Sequence, residues 1–200
     1  ADATAVVEEV SDGSTIVLDR SVMGSRVLRL AGIEAPRIAQ HPADENWPLA
    51  EEARQTLAAL SLGRQIRLSF GGGLALDRYR RLIAQVHDEN GLWLQGEVVA
   101  RGMARVRSLP DNGLPVTDLL LMEAAARAET RGIWADPFYR IRSPDEAEGD
   151  IDSFQIVEGI VTDRARVRDR IYLNFGPDWR TDFTVSIETR LLKTFEKAAL

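Results

Sequence analysis

The most informative stretch of the sequence is Val27-Leu28-Arg29-Leu30-Ala31-Gly32-Ile33-Glu34-Ala35-Pro36. Residues 27–30 are predicted to form a strand, and the glycine and proline that follow end it because both break regular pairing. Two short runs of β-branched residues precede this strand, at 5–10 and 15–18. Asp12-Gly13-Ser14 lies between them and has the chemistry of a hairpin turn. The sequence therefore predicts three consecutive strands before its first helix.

Beyond these strands the apolar pattern changes to helical spacing. Between Pro48 and Leu60, apolar residues recur every three or four positions, and a proline suits a helix start because it lacks a backbone N–H donor. Further elements are predicted as strands at 65–70 and 82–86 and as helices at 93–101 and 116–130. This order, with a helix between strands three and four, is that of a five-stranded OB-fold barrel with helices, of the α+β class.

Composition excludes several classes of protein. Hydrophobic residues make up 44% and charged residues 28% of the 200 residues, which is the balance of a folded chain rather than a disordered one. Because the net charge is −6, a nucleic-acid role must depend on a local basic patch. The chain has no Cys, which excludes disulfide scaffolds and thiolate chemistry. No apolar run is long enough for a membrane span.

The composition changes at residues 140–152, an acidic stretch that is predicted to be a linker. It separates a first domain at 1–139 from a small β-rich unit at 153–200. In that unit strands are predicted at 154–162, 170–175 and 182–188, and a helix at 191–200. A partial second OB-like unit and a β-extension of the first domain both stay open. Packing on the first domain is expected, because about 48 residues are marginal for independent folding.

Five short motifs follow one another along residues 5–138. They are Val10-Ser11-Asp12-Gly13-Ser14-Thr15-Ile16, residues 27–36, Asp77-Arg78-Tyr79-Arg80-Arg81-Leu82-Ile83-Ala84, Val99-Ala100-Arg101-Gly102-Met103-Ala104 and Gly132-Ile133-Trp134. In this order they resemble the signatures of the thermonuclease, or staphylococcal nuclease-like, family. The resemblance implies a calcium-dependent phosphodiesterase that acts on nucleic acid.

The resemblance also assigns roles to individual residues. It implies that Asp12 and Glu34 hold the cation, that Arg29 and Arg81 bind the phosphate and stabilise the charge developing on it, and that Tyr79 lies beside the second arginine. The residue types suit this chemistry, because Ca²⁺ takes oxygen ligands and arginine forks match phosphate oxygens. A purely structural ion pair of Arg29 with Glu34 or Asp77 is the alternative.

Several positions depart from the implied pattern. Ser14, directly after Asp12-Gly13, stands where the family has the other of its two carboxylate ligands, and Arg37 stands where a glutamate activates the attacking water. A hydroxyl is a weak Ca²⁺ ligand, and arginine cannot accept a proton at working pH. Weak or absent Ca²⁺ binding is therefore expected. Ala35 replaces a threonine, and Ser108 and Pro110 stand where paired base-stacking tyrosines are expected.

Three functions remain open at this point. The first is a catalytically degenerate family member whose pocket at Arg29 and Arg81, enlarged by Arg37, binds single-stranded nucleic acid or a protein partner. The second is an active calcium-dependent nuclease in which a carboxylate of the loop at 39–45, with His41, Asp44 and Glu45, replaces the missing base. The third is an interaction module with a vestigial pocket.

The C-terminal unit offers a second candidate surface. Four arginines recur there at period two: Arg164, Arg166, Arg168 and Arg170. An extended chain would place them on one face, and Trp179 is among the aromatic residues nearby. Basic and aromatic side chains together are typical of single-stranded nucleic-acid binding. A hairpin tip at 163–169 with solvated arginines is the alternative.

The chain begins with small residues and without an initiator methionine. A start of this kind suits cleavage of a leader, so we expect an exported protein, periplasmic or secreted. A cytoplasmic protein is the alternative.

Overall fold

The computed structural model describes residues 2–41, 43–71, 75–107, 116–150, 153–188 and 191. The chain divides into two compact units, Ala1–Phe138 and Tyr139–Leu200. The strands of the first unit are β1 (Asp2–Asp12), β2 (Thr15–Val22), β3 (Ser25–Leu30), β4 (Ile33–Glu34), β5 (Gln65–Ser69), β6 (Leu82–Asp88) and β7 (Arg105–Val106). Its helices are α1 (Ala50–Ser61), α2 (Leu94–Ala100) and α3 (Val116–Ala128).

Five of these strands close into a barrel in the order β1-β2-β3-β6-β5. The pairing of β3 with β6 is parallel, and the other pairings are antiparallel. Alternate residues of each strand point inward, and Ile16, Leu28, Leu68 and Val86 are fully buried there. The predicted OB-fold of the α+β class is confirmed, and the strands predicted at 5–10, 15–18, 27–30, 65–70 and 82–86 all lie in this barrel or overlap it.

The three predicted helices are confirmed, with ends that differ by at most two residues. Helix α1 begins at Ala50 rather than at Pro48, because Leu49 adopts a left-handed conformation with a φ of 62°. It packs its apolar stripe inward, with Ala53 and Leu57 fully buried. Among the helices of the described residues, none is both long and apolar enough to cross a membrane.

Strands β4 and β7 form a small antiparallel pair that places Glu34 opposite Arg105. A backbone hydrogen bond of 2.8 Å from the Arg107 N–H to the Gly32 carbonyl extends this pair. Helix α3 supports this pair of strands, because the carboxylate of Glu123 on α3 accepts a hydrogen bond of 2.7 Å from the backbone N–H of Val106. Strands of two residues give no periodic pattern, so the sequence did not predict this pair.

The turn between β1 and β2 is packed tightly at Gly13. A Cβ atom at this position would lie 2.7 Å from the Cβ of Ala53 and 2.8 Å from the Cβ of Ala35. These separations are too short for carbon atoms in contact, so only glycine fits without movement of its neighbours. Gly13 therefore allows the turn to pack against Ala53 of α1 and against Ala35, which follows β4.

The second unit carries a three-stranded antiparallel sheet of β8 (Asp163–Val167), β9 (Arg170–Asn174) and β10 (Thr184–Glu188), in the order β10-β9-β8. Strands β9 and β10 confirm the strands predicted at 170–175 and 182–188. The predicted helix at 191–200 lies outside the described residues apart from Leu191.

The strand predicted at 154–162 is wrong, because the first strand of this sheet begins at Asp163. The earlier segment is held instead by irregular backbone hydrogen bonds to Arg142, which donates to the Ile156 carbonyl at 2.9 Å and accepts from the Glu158 N–H at 3.0 Å. Ile160 is 84% exposed, so its β-branched side chain supplies none of the packing that a strand needs.

The acidic stretch predicted as a linker contains a 3-10 helix at Pro144–Asp150. Its carboxylates pair with arginines of the same unit: Glu146 with Arg140 at 2.8 Å and Asp150 with Arg142 at 2.6 Å. These ion pairs hold the stretch in a compact local conformation.

Candidate functional site

A polar cavity of about 970 Å³ lies beside the barrel, between the β1–β2 turn, the end of β3, the segment after β4, the turn before β6 and the residue after β7. Its charged lining residues are Arg29, Arg37, Arg78, Arg81, Arg107, Asp12, Glu34, Asp44 and Glu45. The structure thus brings together every candidate that the sequence assigned to the first domain, Tyr79 and His41 included.

Glu34 lies at the centre of an arginine–carboxylate–arginine cluster. Its Oε2 atom accepts a hydrogen bond from Nη2 of Arg29 and another, of 2.9 Å, from Nη1 of Arg107. The Glu34 side chain is only 10% exposed, compared with 26% for Arg29 and 47% for Arg107. The ion pair between Arg29 and Glu34, one of the two pairings in the structural alternative, therefore exists, and Arg107 adds a second guanidinium that the sequence did not assign.

Arg81 is fixed by the tight turn that precedes β6. The Asp77 carboxylate accepts the N–H groups of Tyr79 and Arg81 at 2.9 Å each and the Arg81 Nε–H at 2.7 Å. Burial raises the pKa of Asp77, but the hydrogen bonds from Arg81 and Tyr79 outweigh burial and leave that pKa below its ordinary value. Asp77 therefore stays ionised and holds the Arg81 guanidinium at the cavity wall.

Tyr79 extends from the same turn with 64% of its surface exposed. The guanidinium carbons of Arg78 and Arg81 lie 4.7 Å and 5.2 Å from its ring centroid. Cations near an aromatic face are attracted by the ring quadrupole. Tyr79 therefore orients two arginines beside the cavity.

Arg37 is held by an aromatic side chain. Its guanidinium carbon lies 4.9 Å from the centroid of the Trp47 ring, and Trp47 in turn contacts Phe138 at a centroid distance of 5.4 Å. A backbone hydrogen bond of 2.9 Å from the Trp47 N–H to the Arg37 carbonyl joins the two residues. Stacking leaves the N–H donors in the guanidinium plane able to bind an anion.

The residues of the cavity do not fit a calcium ion. Asp12 Oδ1 accepts the N–H of Ser14 at 2.7 Å and the Ser14 hydroxyl at 3.0 Å, while Glu34 Oε2 is held by two guanidinium groups. Calcium takes six to eight oxygen ligands. Within the described ranges, no group of three or more His, Asp or Glu side chains is arranged to hold a metal.

The loop proposed as a source of a replacement base does line the cavity, with His41, Asp44 and Glu45. All three side chains are exposed, and a backbone hydrogen bond of 3.0 Å from the Asp44 N–H to the His41 carbonyl shapes the loop. The two positions where base-stacking tyrosines were expected, Ser108 and Pro110, lie outside the described residues.

In the second unit, the four arginines do not share one face, contrary to the expectation. Arg164 and Arg166 lie on one face of β8, whereas Arg168 is in the following turn with a φ of 54°. Arg170 lies on β9 opposite Val167, so it shares a face with that residue and not with Arg166. The chain turns at Arg168, between β8 and β9, so the alternation of the arginines along one strand ends at Arg166.

Trp179 lies in the loop between β9 and β10 with 64% of its surface exposed. The guanidinium carbon of Arg180 is 4.7 Å from its ring centroid. Two other aromatic residues of this unit, Phe175 and Phe183, pack edge to face against each other with a centroid distance of 5.5 Å. The Trp179 ring is thus exposed to solvent, whereas Phe175 and Phe183 pack against each other within the unit.

Two cavity residues were missed from the sequence. The first is Arg107. The alternation of polar and apolar residues in Arg105-Val106-Arg107 is the signal from which a short strand next to it could have been predicted. Trp47 lies in a polar loop, and nothing in its surroundings indicated that it stacks on Arg37. The contact of Arg107 with Glu34 joins segments that are distant in sequence, and the contact of Trp47 with Arg37 lies in an irregular segment.

Comparisons with known proteins agree with this architecture. The family model described as staphylococcal nuclease homologue matches residues 27–136. Endonuclease YhcR of Bacillus subtilis (strain 168) is 33% identical over 136 residues, which cover 64% of this chain and 11% of that protein. The chain therefore spans about a tenth of the length of this curated relative.

Proposed function

Because the chain belongs to the staphylococcal nuclease homologue family, we propose that it keeps a phosphate-binding pocket and binds single-stranded nucleic acid without cutting it efficiently. Members of this family are nucleases, and the relative from Bacillus subtilis is named an endonuclease. Nucleic acid is accordingly the ligand class that this ancestry favours.

One observation carries the proposal: Arg29, Arg37, Arg81 and Arg107 line a single cavity. Guanidinium groups bind phosphate oxygens through paired N–H donors, and contacts of this kind supply most of the affinity for a nucleic-acid backbone. The chain as a whole is acidic and the same cavity is lined by Asp12, Glu34, Asp44 and Glu45, so binding depends on direct contacts of these guanidinium groups with phosphate and not on net charge.

The same geometry argues against efficient hydrolysis. The family is in general calcium-dependent, but the carboxylates of Asp12 and Glu34 are already engaged by Ser14 and by two arginines. Arg37 replaces the expected proton acceptor, and the loss of a general base typically costs about 10²–10⁴ in rate. Efficient hydrolysis of nucleic acid by this chain is therefore not expected.

Fluorescence anisotropy of a labelled single-stranded oligonucleotide tests the binding. We expect the protein to bind equally well in EDTA and in Ca²⁺, and Arg81→Ala to weaken binding by about tenfold, since a charge-assisted hydrogen bond is lost. Arg64→Ala, which removes an exposed arginine outside the cavity, is the matched control and should have little effect. Absence of binding, or equal losses in both variants, would contradict the proposal and favour a protein partner.

An active nuclease remains the second candidate, because Asp44 and Glu45 line the same cavity as the arginines. A carboxylate of this loop would then replace the missing base. If this candidate is correct, the wild-type protein should cut the oligonucleotide in the presence of Ca²⁺. Asp44→Asn or Glu45→Gln should abolish cleavage while the variant still binds the oligonucleotide. Fragments that depend on neither residue would exclude the replacement base.

A further inference from the structure

We propose that the exposed side of helix α3 is the surface through which two copies of this chain associate, with their helices antiparallel about a two-fold axis. The inference goes beyond the proposed function, because α3 contributes no lining residue to the cavity and the contact requires no nucleic acid. It assigns a partner to a surface that the fold leaves open to solvent.

The exposed side of α3 is apolar. Leu120 and Leu121 are 48% and 65% exposed. Three alanines continue this side: Ala124, Ala125 and Ala128. The side that packs inward is a separate one, formed by Leu119, Glu123 and Ala126. A surface helix normally carries polar residues opposite its buried stripe, and a contiguous apolar surface marks an interaction site.

This side of the helix is complementary to itself. One stripe along it has members at intervals of four, three and four residues: Thr117, Leu121, Ala124 and Ala128. A two-fold axis that passes between Leu121 and Ala124 places each leucine opposite the alanine of the other copy. The same axis places Thr117 opposite Ala128. Each larger side chain thus meets a smaller one, and both copies use the same surface.

The charges at the two ends of α3 favour the antiparallel arrangement. Asp118 lies in the first turn and Arg127 in the last turn. In an antiparallel pair the end with Asp118 lies beside the end of the other copy that carries Arg127, whereas a parallel pair would place like charges side by side. Antiparallel helix dipoles also attract each other. Glu129 and Arg131, just beyond the helix, form an ion pair with each other and add no net charge to this end.

A second copy fits this surface better than a lipid bilayer does. Helices that lie on membranes are rich in Lys and Arg along their polar flanks, whereas the end turns of α3 carry one acidic and one basic residue. A contact between two helices of 13 residues is smaller than the roughly 1,600 Å² of a standard interface. The association is therefore weak and depends on protein concentration.

Sedimentation velocity of the whole chain at increasing concentration, without nucleic acid, tests the association. The wild-type protein should shift from monomer to dimer. Leu121→Glu should raise the dissociation constant by at least about tenfold, because it removes an apolar contact and brings two carboxylates close to the axis. Leu62→Glu is the matched control, because Leu62 is 50% exposed and lies outside α3. It should leave the association unchanged.

Disulfide formation tests the register of the two helices. The chain has no Cys, so only introduced cysteines can react. A mixture of Thr117→Cys and Ala128→Cys proteins should form a disulfide between the two variants. Thr117→Cys alone should not, because its two copies lie roughly 16 Å apart along the axis at a rise of about 1.5 Å per residue, and a disulfide needs Cα atoms within about 7 Å.

Three results would overturn the inference. They are a wild-type protein that stays monomeric at every concentration, equal association of Leu121→Glu and Leu62→Glu, and cross-linking of Thr117→Cys alone as fast as in the mixture. The first result would leave the exposed side of α3 to a different protein. Oligonucleotide binding by Leu121→Glu should equal that of the wild-type protein, so the proposed function is tested separately from this association.

Discussion

The Arg107 Nη1 atom donates a hydrogen bond of 2.9 Å to Oε2 of Glu34, across a sequence separation of 73 residues. This bond connects the residue after β7 with β4 and places a second guanidinium on a carboxylate that Arg29 already contacts. A carboxylate in this environment is poorly suited to a cation, because the ion would approach two positive groups. This contact supports the proposal that the cavity binds a phosphate.

Calcium binding should be restored by returning acidic residues to the cavity. Calorimetric titration of the wild-type protein with Ca²⁺ should show no saturable heat, since Asp12 and Glu34 are engaged by N–H and O–H donors. The double variant Ser14→Asp, Arg37→Glu should show saturable binding. Saturable heat from the wild-type protein would contradict this expectation.

The matched control for that titration places the same charges outside the cavity. Ser11→Asp with Arg64→Glu changes the net charge equally at two exposed positions that do not line the site. This variant should behave as the wild-type protein does.

Arg37 should contribute one phosphate contact to nucleic-acid binding. Arg37→Ala removes a guanidinium that Trp47 orients at the cavity wall, so affinity for single-stranded DNA should fall. The slope of the logarithm of affinity against the logarithm of salt concentration should decrease by about 0.7, as expected for one contact to a single strand. A slope equal to that of the wild-type protein would show that Arg37 makes no phosphate contact.

Gly13 should be essential to the packing of the β1–β2 turn. Gly13→Ala would bring a methyl group within 2.8 Å of Ala35 and Ala53. Overpacking of this kind costs about 1–3 kcal/mol, so the variant should unfold at a lower temperature in calorimetry. Gly149→Ala is the control, because a Cβ atom there meets nothing within 4 Å. Equal melting temperatures for the two variants would contradict the packing described here.

Glu123 should make the stability of the first unit depend on pH. Burial raises the pKa of this carboxyl above its ordinary value of 4.5, although its hydrogen bond from Val106 and the charges of Arg127 and Arg105 act in the opposite direction. A raised pKa in the folded state means that its contribution to stability is full below 4.5 and is lost as the pH rises through the folded pKa.

Comparison with Glu123→Gln isolates this effect, because glutamine keeps the shape and the acceptor oxygen but does not ionise. The free energy of unfolding of the wild-type protein, relative to that of the variant, should fall as the pH rises from below 4.5. A difference that rises with pH would show that ionisation of Glu123 stabilises the fold.

The barrel was predictable because its strands and helices are long enough to show a period. Residues 65–70 alternate between polar and apolar side chains, residues 15–18 are rich in β-branched side chains, and the helix that begins after Pro48 repeats its apolar positions. The segment at 154–162 also contains β-branched residues, but in the described part of the chain it pairs through an isolated bridge between Val157 and Arg142 and not as a strand, and such pairing is not visible in local sequence.

The site was predictable in part. Arg29, Glu34 and Arg81 were found through the resemblance, and the structure places all three in one cavity. Arg107 was not found, because its contact with Glu34 depends on a pairing of two-residue strands. A contact between residues so far apart in sequence follows from the closed topology and not from any local pattern.

Incubation of an end-labelled single-stranded oligonucleotide with the protein and Ca²⁺, followed by electrophoresis, distinguishes binding from cleavage. The strand should remain at full length while the protein binds it, in Ca²⁺ and in EDTA alike. Shortened products that require Ca²⁺ and disappear in Arg81→Ala would instead establish an active nuclease.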